Sequence, residues 1–239
     1  MTARPPIPYN KISAGPPPGC RINGVGALIM TVYSTLLFDF GGVLAAEGFR
    51  TGLEAIGREQ GLDPVETFSL GQEIVYSSGY VVGAASEASF WDEFRRRTGI
   101  AAADGELRRR ILDRFLPFPE MLAAVNRLHQ LGFTLAIVSD QTNWLDELDE
   151  RHRFFALFHR VFNSYHHGRS KQDSRFFVEV LAELDCKPEA ALFLDDDQGN
   201  LDRARAQGIR GILVTDPGRA LRELEQLLGM ELSLNEEEP

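Results

Sequence analysis

The sequence predicts an α/β protein, in which a parallel sheet is flanked by helices and a helical segment is inserted after the first strand. The prediction depends on five short apolar runs, rich in branched or aromatic residues, that alternate with helical patterns. Runs without polar alternation are typical of strands buried on both faces. Alternating strands and helices are connected by right-handed crossovers and form a covered parallel sheet. The predicted fold is therefore Rossmann-like.

The five predicted strands and the helices between them can be placed in order. The strands are 35–40, 133–139, 160–164, 191–194 and 210–214. Apolar residues at helical spacing predict helices over 119–131, over 176–184 behind an Asp173 cap, and over 201–208. The gap between the first two strands is too long for one crossover, and it holds helical patterns at 87–98 and 106–116 without a comparable strand.

These patterns divide the chain into four segments. Residues 1–29 are rich in Pro and Gly and predict a disordered extension, with either Met1 or Met30 as the natural start. The stretch 24–30 lacks the charged region and cleavage site of a signal peptide. Residues 30–45 and 118–232 form the predicted α/β core, residues 46–117 an inserted helical cap domain, and residues 233–239 an acidic tail.

Composition excludes several classes of protein. The chain has 239 residues, of which 44% are hydrophobic and 25% charged, the balance of a globular protein. Its 35 acidic and 25 basic residues give a net charge of −10, which disfavours nucleic-acid binding. No apolar run reaches the roughly 18 residues of a membrane span. Cys20 and Cys186 form neither a metal-binding spacing nor a disulfide framework. We expect a cytoplasmic protein that binds neither nucleic acid nor membrane; the sequence carries no signal for its oligomeric state.

Chemically active side chains follow the predicted strands at their carboxyl ends, where open parallel sheets bind ligands. In chain order they are Asp39 with Gly41 and Gly42, Ser139 with Asp140, Lys171, and Asp195–Asp197. Carboxylates brought together repel one another unless a cation is present. Mg²⁺ prefers carboxylate and carbonyl oxygens. Each feature alone is also typical of an ordinary turn, helix cap or surface lysine. Because all of them lie at the same edge of the predicted sheet, we favour a ligand site there. The inserted segment would cover this site as a lid.

The same edge offers groups that bind an anion. Lys171 would supply a positive charge and Ser139 a hydrogen-bond donor for a group such as phosphate. The Gly41-Gly42 pair would let backbone amides approach an oxyanion closely.

The four segments LLFDFGGVL, AIVSDQTN, SYHHGRSKQD and LFLDDDQGNLDRARAQG resemble, in order, the four motifs of the haloacid dehalogenase-like hydrolase superfamily. The similarity runs over 35–214. The insertion between the first two motifs is similar to the helical cap of one subgroup, and the Asp-x-Gly-Gly first motif resembles that of a branch of small-molecule phosphatases. The resemblance implies a hydrolase of phosphoric monoesters whose substrate is a small phosphorylated metabolite.

The resemblance also implies roles for individual residues. Asp39 would be the nucleophile that forms an aspartyl-phosphate. Ser139 and Lys171 would hold the phosphoryl group, with Gly41, Gly42 and Asp140 as further substrate-binding positions. Mg²⁺ would bind Asp39, the backbone carbonyl of Gly41, Asp196 directly, and Asp195 through water or a hydrogen bond. Asn200 would fix the loop that carries the acidic pair.

Three positions depart from the family pattern. Gly41 stands where most of these phosphatases have a second Asp, which serves as acid and base, so that role is vacant in the motif. Asp140 replaces the usual Asn, and its charge would disfavour phosphate unless only its backbone amide points inward. Gln172 replaces the usual Pro.

Two alternatives to a magnesium-dependent phosphatase follow from these departures and from the wider superfamily. One is a catalytically weakened or non-enzymatic protein that binds a ligand. The other is a metal-free 2-haloacid dehalogenase, in which Asp39 would form a carboxylate ester, although such enzymes lack the acidic pair Asp195 and Asp196.

Overall fold

The computed structural model describes residues 21–22, 28–29 and 31–232. Most of the predicted extension over 1–29 and the whole acidic tail over 233–239 lie outside the described residues. Within the extension, strands β1 (Arg21–Ile22) and β2 (Leu28–Ile29) pair antiparallel.

A five-stranded parallel sheet forms the centre of the fold and confirms the predicted α/β class. Its strands are β3 (Thr35–Phe38), β4 (Thr134–Ser139), β5 (Arg160–Asn163), β6 (Ala191–Asp195) and β7 (Arg210–Leu213). Their order is β5-β4-β3-β6-β7, and every pair is parallel. All five predicted strands are present. The first ends at Phe38 rather than Phe40, so Asp39 and Phe40 lie in the turn that follows.

In the described part of the chain outside the insertion, six α-helices connect and cover these strands. They are α5 (Pro119–Gln130), α6 (Trp144–His152), α7 (Ser164–His167), α8 (Arg175–Glu183), α9 (Gln198–Ala206) and α10 (Pro217–Leu228). The N-cap of α8 is Ser174 rather than the predicted Asp173. The Asp173 carboxylate still accepts the N–H of Arg175, the first residue of the helix, but it does so from the residue before the N-cap.

The segment 46–117, called the cap below, is helical as predicted. It holds α1 (Gly48–Glu59), α2 (Pro64–Ser77), α3 (Glu87–Thr98) and α4 (Asp104–Leu112). Helix α3 has the predicted bounds: Ser86 and Ser89 cap its start reciprocally, and Gly99 ends it in the left-handed conformation at φ 75°. Helix α4 ends at Leu112, four residues before the predicted end.

Aromatic packing joins the cap to the core. Trp91 is fully buried and stacks on Trp144 of α6 with 5.9 Å between ring centroids. The Tyr80 hydroxyl donates to Asn143 Oδ1 at 2.6 Å across the same boundary. Trp91 is therefore a core residue of the cap. In the part of the chain that the structure describes, no helix combines the length and the apolar character needed to span a membrane.

Candidate active site

The strand register brings the carboxyl ends of β3, β4 and β6 side by side. Phe38, the last residue of β3, pairs with Ile137 of β4 on one side and Leu194 of β6 on the other. The next position holds Asp39, whose N–H donates to the Leu194 carbonyl at 2.9 Å. Parallel pairing thus places Asp39 between the ends of β4 and β6, where Ser139 and Asp195 lie.

Asp39 is buried, with 8% of its surface exposed, and both of its carboxylate oxygens have partners. Oδ1 accepts the Ser139 hydroxyl at 2.5 Å and the Phe40 N–H at 2.7 Å. Oδ2 forms an ion pair with Lys171 Nζ at 2.7 Å. The structure therefore brings together three residues that are separated by 100 and 32 positions in the chain.

Lys171 is buried and lies between two carboxylates. Its Nζ also pairs with Asp195 Oδ2 at 2.6 Å. Burial opposes the charged form of this side chain, but the negative charges of Asp195, Asp39 and Asp140 hold the pKa of Lys171 well above its usual value. Lys171 is therefore a permanent cation at neutral pH.

The acidic pair after β6 divides into a buried and an open carboxylate. Asp195 is fully buried and accepts hydrogen bonds from the Asp197 N–H at 2.8 Å and from Asn200 Nδ2 at 3.1 Å. Burial raises the pKa of Asp195 to about 6 despite the Lys171 charge. The contact with Asn200 agrees with the expectation that this residue fixes the loop.

Asp196 faces the pocket, and its carboxylate makes no hydrogen bond or ion pair with the residues that the structure describes. Although Asp196 is exposed to the cavity, its partial withdrawal from water raises its pKa to about 7, and the charges of Asp39, Glu47 and Asp195 act in the same direction. Carboxylate oxygens of Asp39, Asp195 and Asp196 lie within 4.8 Å of one another. Such a set of hard oxygen ligands fits a divalent cation such as Mg²⁺.

The two glycines of the first motif leave room for acidic side chains. Gly42 has φ 73°, in the left-handed region that favours glycine, and a side-chain carbon there would collide with Asp196. Its N–H donates to the Ala45 carbonyl at 2.7 Å, so this amide is not free to bind an oxyanion in this conformation, contrary to the expectation for the Gly-Gly pair. Gly41 lines the pocket.

The sequence predicted that the charge of Asp140 would disfavour phosphate unless only its backbone amide pointed inward, and in the structure the side chain also takes part in the site. Asp140 is among the residues that line the pocket, and its carboxylate accepts the Lys171 backbone N–H on Oδ1 at 2.8 Å and the Tyr76 hydroxyl on Oδ2 at 3.1 Å. Burial raises its pKa, opposed by Lys171. The side chain therefore ties helix α2 of the cap to the loop that carries Lys171.

A cavity of about 600 Å³ opens over Asp39 between the core and the cap. The strand ends form its floor, and side chains from α1 and α2 of the cap form its other wall. Sequence reasoning missed several of its lining residues: Glu47, Phe49, Arg50, Phe68, Tyr76 and Arg203. Arg203 lies in the fourth motif, where its Nε donates to the Lys171 carbonyl at 2.8 Å. The cap residues among them could not be identified from the sequence, because the first motif ends before the cap begins.

Comparisons with known proteins agree with this geometry. A family model described as haloacid dehalogenase-like hydrolase matches residues 33–208. Bifunctional epoxide hydrolase 2 of Rattus norvegicus is 38% identical over 116 residues, which cover 46% of this chain and 21% of the rat protein. The chain thus spans about a fifth of that relative's length. Sesquiterpene phosphatase astK of Aspergillus oryzae is 24% identical over 83% of this chain and 98% of its own.

A solved structure has the same fold. The HAD family enzyme of Bacteroides thetaiotaomicron in complex with magnesium and inorganic phosphate aligns with a TM-score of 0.59 and 18% identity, over 76% of this chain and 93% of that one. Because the family model matches well over half of the chain, and the sheet and strand-end residues agree with it, this chain belongs to the haloacid dehalogenase-like hydrolase family.

Proposed function

We propose that the chain is a magnesium-dependent phosphatase that hydrolyses a small phosphorylated metabolite through an aspartyl-phosphate on Asp39. The observation that carries the proposal is the environment of the Asp39 carboxylate. It lies at the floor of the cavity, held by the Ser139 hydroxyl at 2.5 Å and by Lys171 Nζ at 2.7 Å. A fixed carboxylate beside a buried cation is suited to attack phosphorus in line.

The neighbouring side chains have complementary roles in this proposal. Lys171 neutralises negative charge on Asp39 and on the phosphoryl group, and Ser139 donates a hydrogen bond to a phosphoryl oxygen after leaving Asp39. Asn200 and the Asp197 N–H hold Asp195 in place. The division into a core over 30–45 and 118–232 and a cap over 46–117 belongs to the same proposal, with the cap closing the cavity over the substrate.

The carboxylate cluster supports a bound Mg²⁺. Asp39, Asp196 and the Gly41 carbonyl would hold the ion, with Asp195 behind them through a hydrogen bond or water. When bound, it would supply the positive charge that lets a phosphate dianion approach the Asp39 carboxylate. The names of the Aspergillus phosphatase and of the Bacteroides magnesium and phosphate complex support the same reading.

Dehalogenation of a 2-haloacid is the weaker candidate. Displacement of halide by Asp39 would need no divalent cation, and it would leave the open carboxylate of Asp196, and with it the cation site of the cluster, without a function. The cavity volume of about 600 Å³ suits a small substrate.

A cytoplasmic location remains a prediction from the sequence.

Release of inorganic phosphate by the purified protein tests the proposal. We would assay p-nitrophenyl phosphate, sugar phosphates, nucleotides and phosphoglycolate with Mg²⁺ and with EDTA, using Asp39→Asn as the control. We expect turnover only with Mg²⁺, and less than about a tenth of it in Asp39→Asn. Turnover above that level in the variant would place the nucleophile elsewhere. Halide release from 2-chloropropionate in EDTA would favour a dehalogenase, and no product from any substrate a ligand-binding protein.

A further inference from the structure

The first motif lacks an acid beside the nucleophile, but the folded chain brings one there from the cap. Glu47 lies at the start of helix α1 and lines the cavity together with Asp39, Gly41 and Asp196. A side-chain carbon placed on Gly41 would lie 2.5 Å from Glu47 Oε2. The Glu47 carboxylate therefore occupies the space that a side chain at position 41 would need, two residues after the nucleophile.

The two oxygens of Glu47 have different surroundings. Oε1 accepts the Arg50 N–H at 3.2 Å and so caps helix α1. Among the described residues, Oε2 has no hydrogen-bond or ion-pair partner, although it is the oxygen that faces Gly41. Capping explains why the side chain is held in place, and it leaves one oxygen available to a molecule in the cavity.

Glu47 is also separate from the candidate metal cluster. The oxygens that lie within 4.8 Å of one another in the described part of the chain belong to Asp39, Asp195 and Asp196, and Glu47 is not among them. A carboxylate that is close to the nucleophile but outside the cation site is placed for proton transfer to and from the reacting oxygens.

Resting on the proposed phosphatase function, we propose that Glu47 is the catalytic acid and base of this site. Asp39 attacks phosphorus, and the bond from phosphorus to the leaving oxygen breaks with its electron pair on that oxygen. Glu47 transfers its Oε2 proton to the same oxygen, so that an alcohol leaves. In the second step water attacks phosphorus and gives a proton to Glu47, while the electron pair of the Asp39–phosphorus bond returns to Asp39.

The test compares Glu47→Gln with wild type on two substrates in Mg²⁺. An alkyl phosphate such as β-glycerophosphate needs its leaving oxygen protonated, whereas p-nitrophenyl phosphate leaves as a stable phenolate. For Glu47→Gln we expect kcat/KM to fall about 10²- to 10⁴-fold for the alkyl ester and less than about 10-fold for the aryl ester. Because the second step loses its base, the aryl ester should also give a burst of p-nitrophenol equal to the enzyme present.

Matched variants separate this role from capping and from metal binding. Gln at 47 can still accept the Arg50 N–H, so the melting temperature should change little. Glu54→Gln, on the same helix and paired with Arg58 at 3.0 Å, should behave as wild type on both substrates. The Mg²⁺ concentration needed for half-maximal thermal stabilisation should be the same in Glu47→Gln and wild type.

A relocated carboxylate gives a second, independent readout. The double variant Gly41→Asp with Glu47→Ala places an acid in the same space. On the alkyl ester we expect its kcat/KM to be at least about tenfold higher than that of Glu47→Ala alone. Equal losses on both esters in Glu47→Gln, a weakened Mg²⁺ response, or no regain would overturn the role of Glu47 and leave the phosphatase proposal standing. No phosphate release by wild type would overturn both.

Discussion

Removal of the Lys171 ammonium tests how the site is held together. In Lys171→Met, a side chain of similar length replaces the cation, and the carboxylates of Asp39 and Asp195 lose ion pairs of 2.7 Å and 2.6 Å. Asp195 is fully buried and gains no water in compensation, and Asp39 is only 8% exposed at the floor of the cavity. Removing one partner of a buried ion pair costs about 3–5 kcal/mol. With a urea dependence of about 2 kcal/mol per molar, the unfolding midpoint should fall by about 2 M.

Urea unfolding followed by circular dichroism, in EDTA at pH 7.5, measures this loss. Lys187→Met is the matched control, because Lys187 is exposed and forms no ion pair with the described residues; its midpoint should match wild type. Added Mg²⁺ should restore part of the stability of Lys171→Met, since a divalent cation replaces the lost charge. A loss below about 1 kcal/mol, or one equal to that of Lys187→Met, would refute the argument that Lys171 neutralises these carboxylates.

Two further predictions concern the acidic cluster and the cap. The folded protein raises the pKa of Asp196 from 3.8 to about 7, so its ionised form destabilises the fold increasingly as pH rises through that window. After allowance for solvent screening, the ionised carboxylate costs about 1 kcal/mol. Without metal, the melting temperature of Asp196→Asn should therefore be about 2–4 °C above that of wild type at pH 8, and the two proteins should melt at the same temperature at pH 4. A difference in melting temperature that does not depend on pH would contradict this. Trp91→Ala removes a fully buried cap side chain and should cost about 3–5 kcal/mol of unfolding free energy by urea titration; a loss below about 1 kcal/mol would show that the cap does not pack through it.

The sheet and its strand-end residues were predictable from the sequence for a physical reason. Strands buried on both faces must be short and almost wholly apolar, and the carboxyl ends of parallel strands meet at one edge. Asp39, Ser139 and Asp195 are therefore neighbours because the strands that they follow or end are adjacent and parallel. The alternation of strands and helices indicated this edge without any knowledge of the loops.

The surroundings of that edge were not predictable in the same way. Glu47 is six positions beyond Gly41, and it lies back near the nucleophile after a turn over 42–44 in which Gly42 has φ 73°. Asp140 was expected to be unfavourable, but the loop before α8 supplies the Lys171 N–H and α2 supplies the Tyr76 hydroxyl. Such contacts depend on how separate segments pack, and no local pattern carries them.

Peptide mapping after acid quench during turnover tests the central claim most directly. Wild-type protein, mixed with p-nitrophenyl phosphate and Mg²⁺ and quenched in acid, should carry the mass of one phosphoryl group on the peptide that contains Asp39, and Asp39→Asn should carry none. Rapid phosphate release without any label on that peptide, or a label on another residue, would contradict the assignment of Asp39 as the group that receives the phosphoryl group.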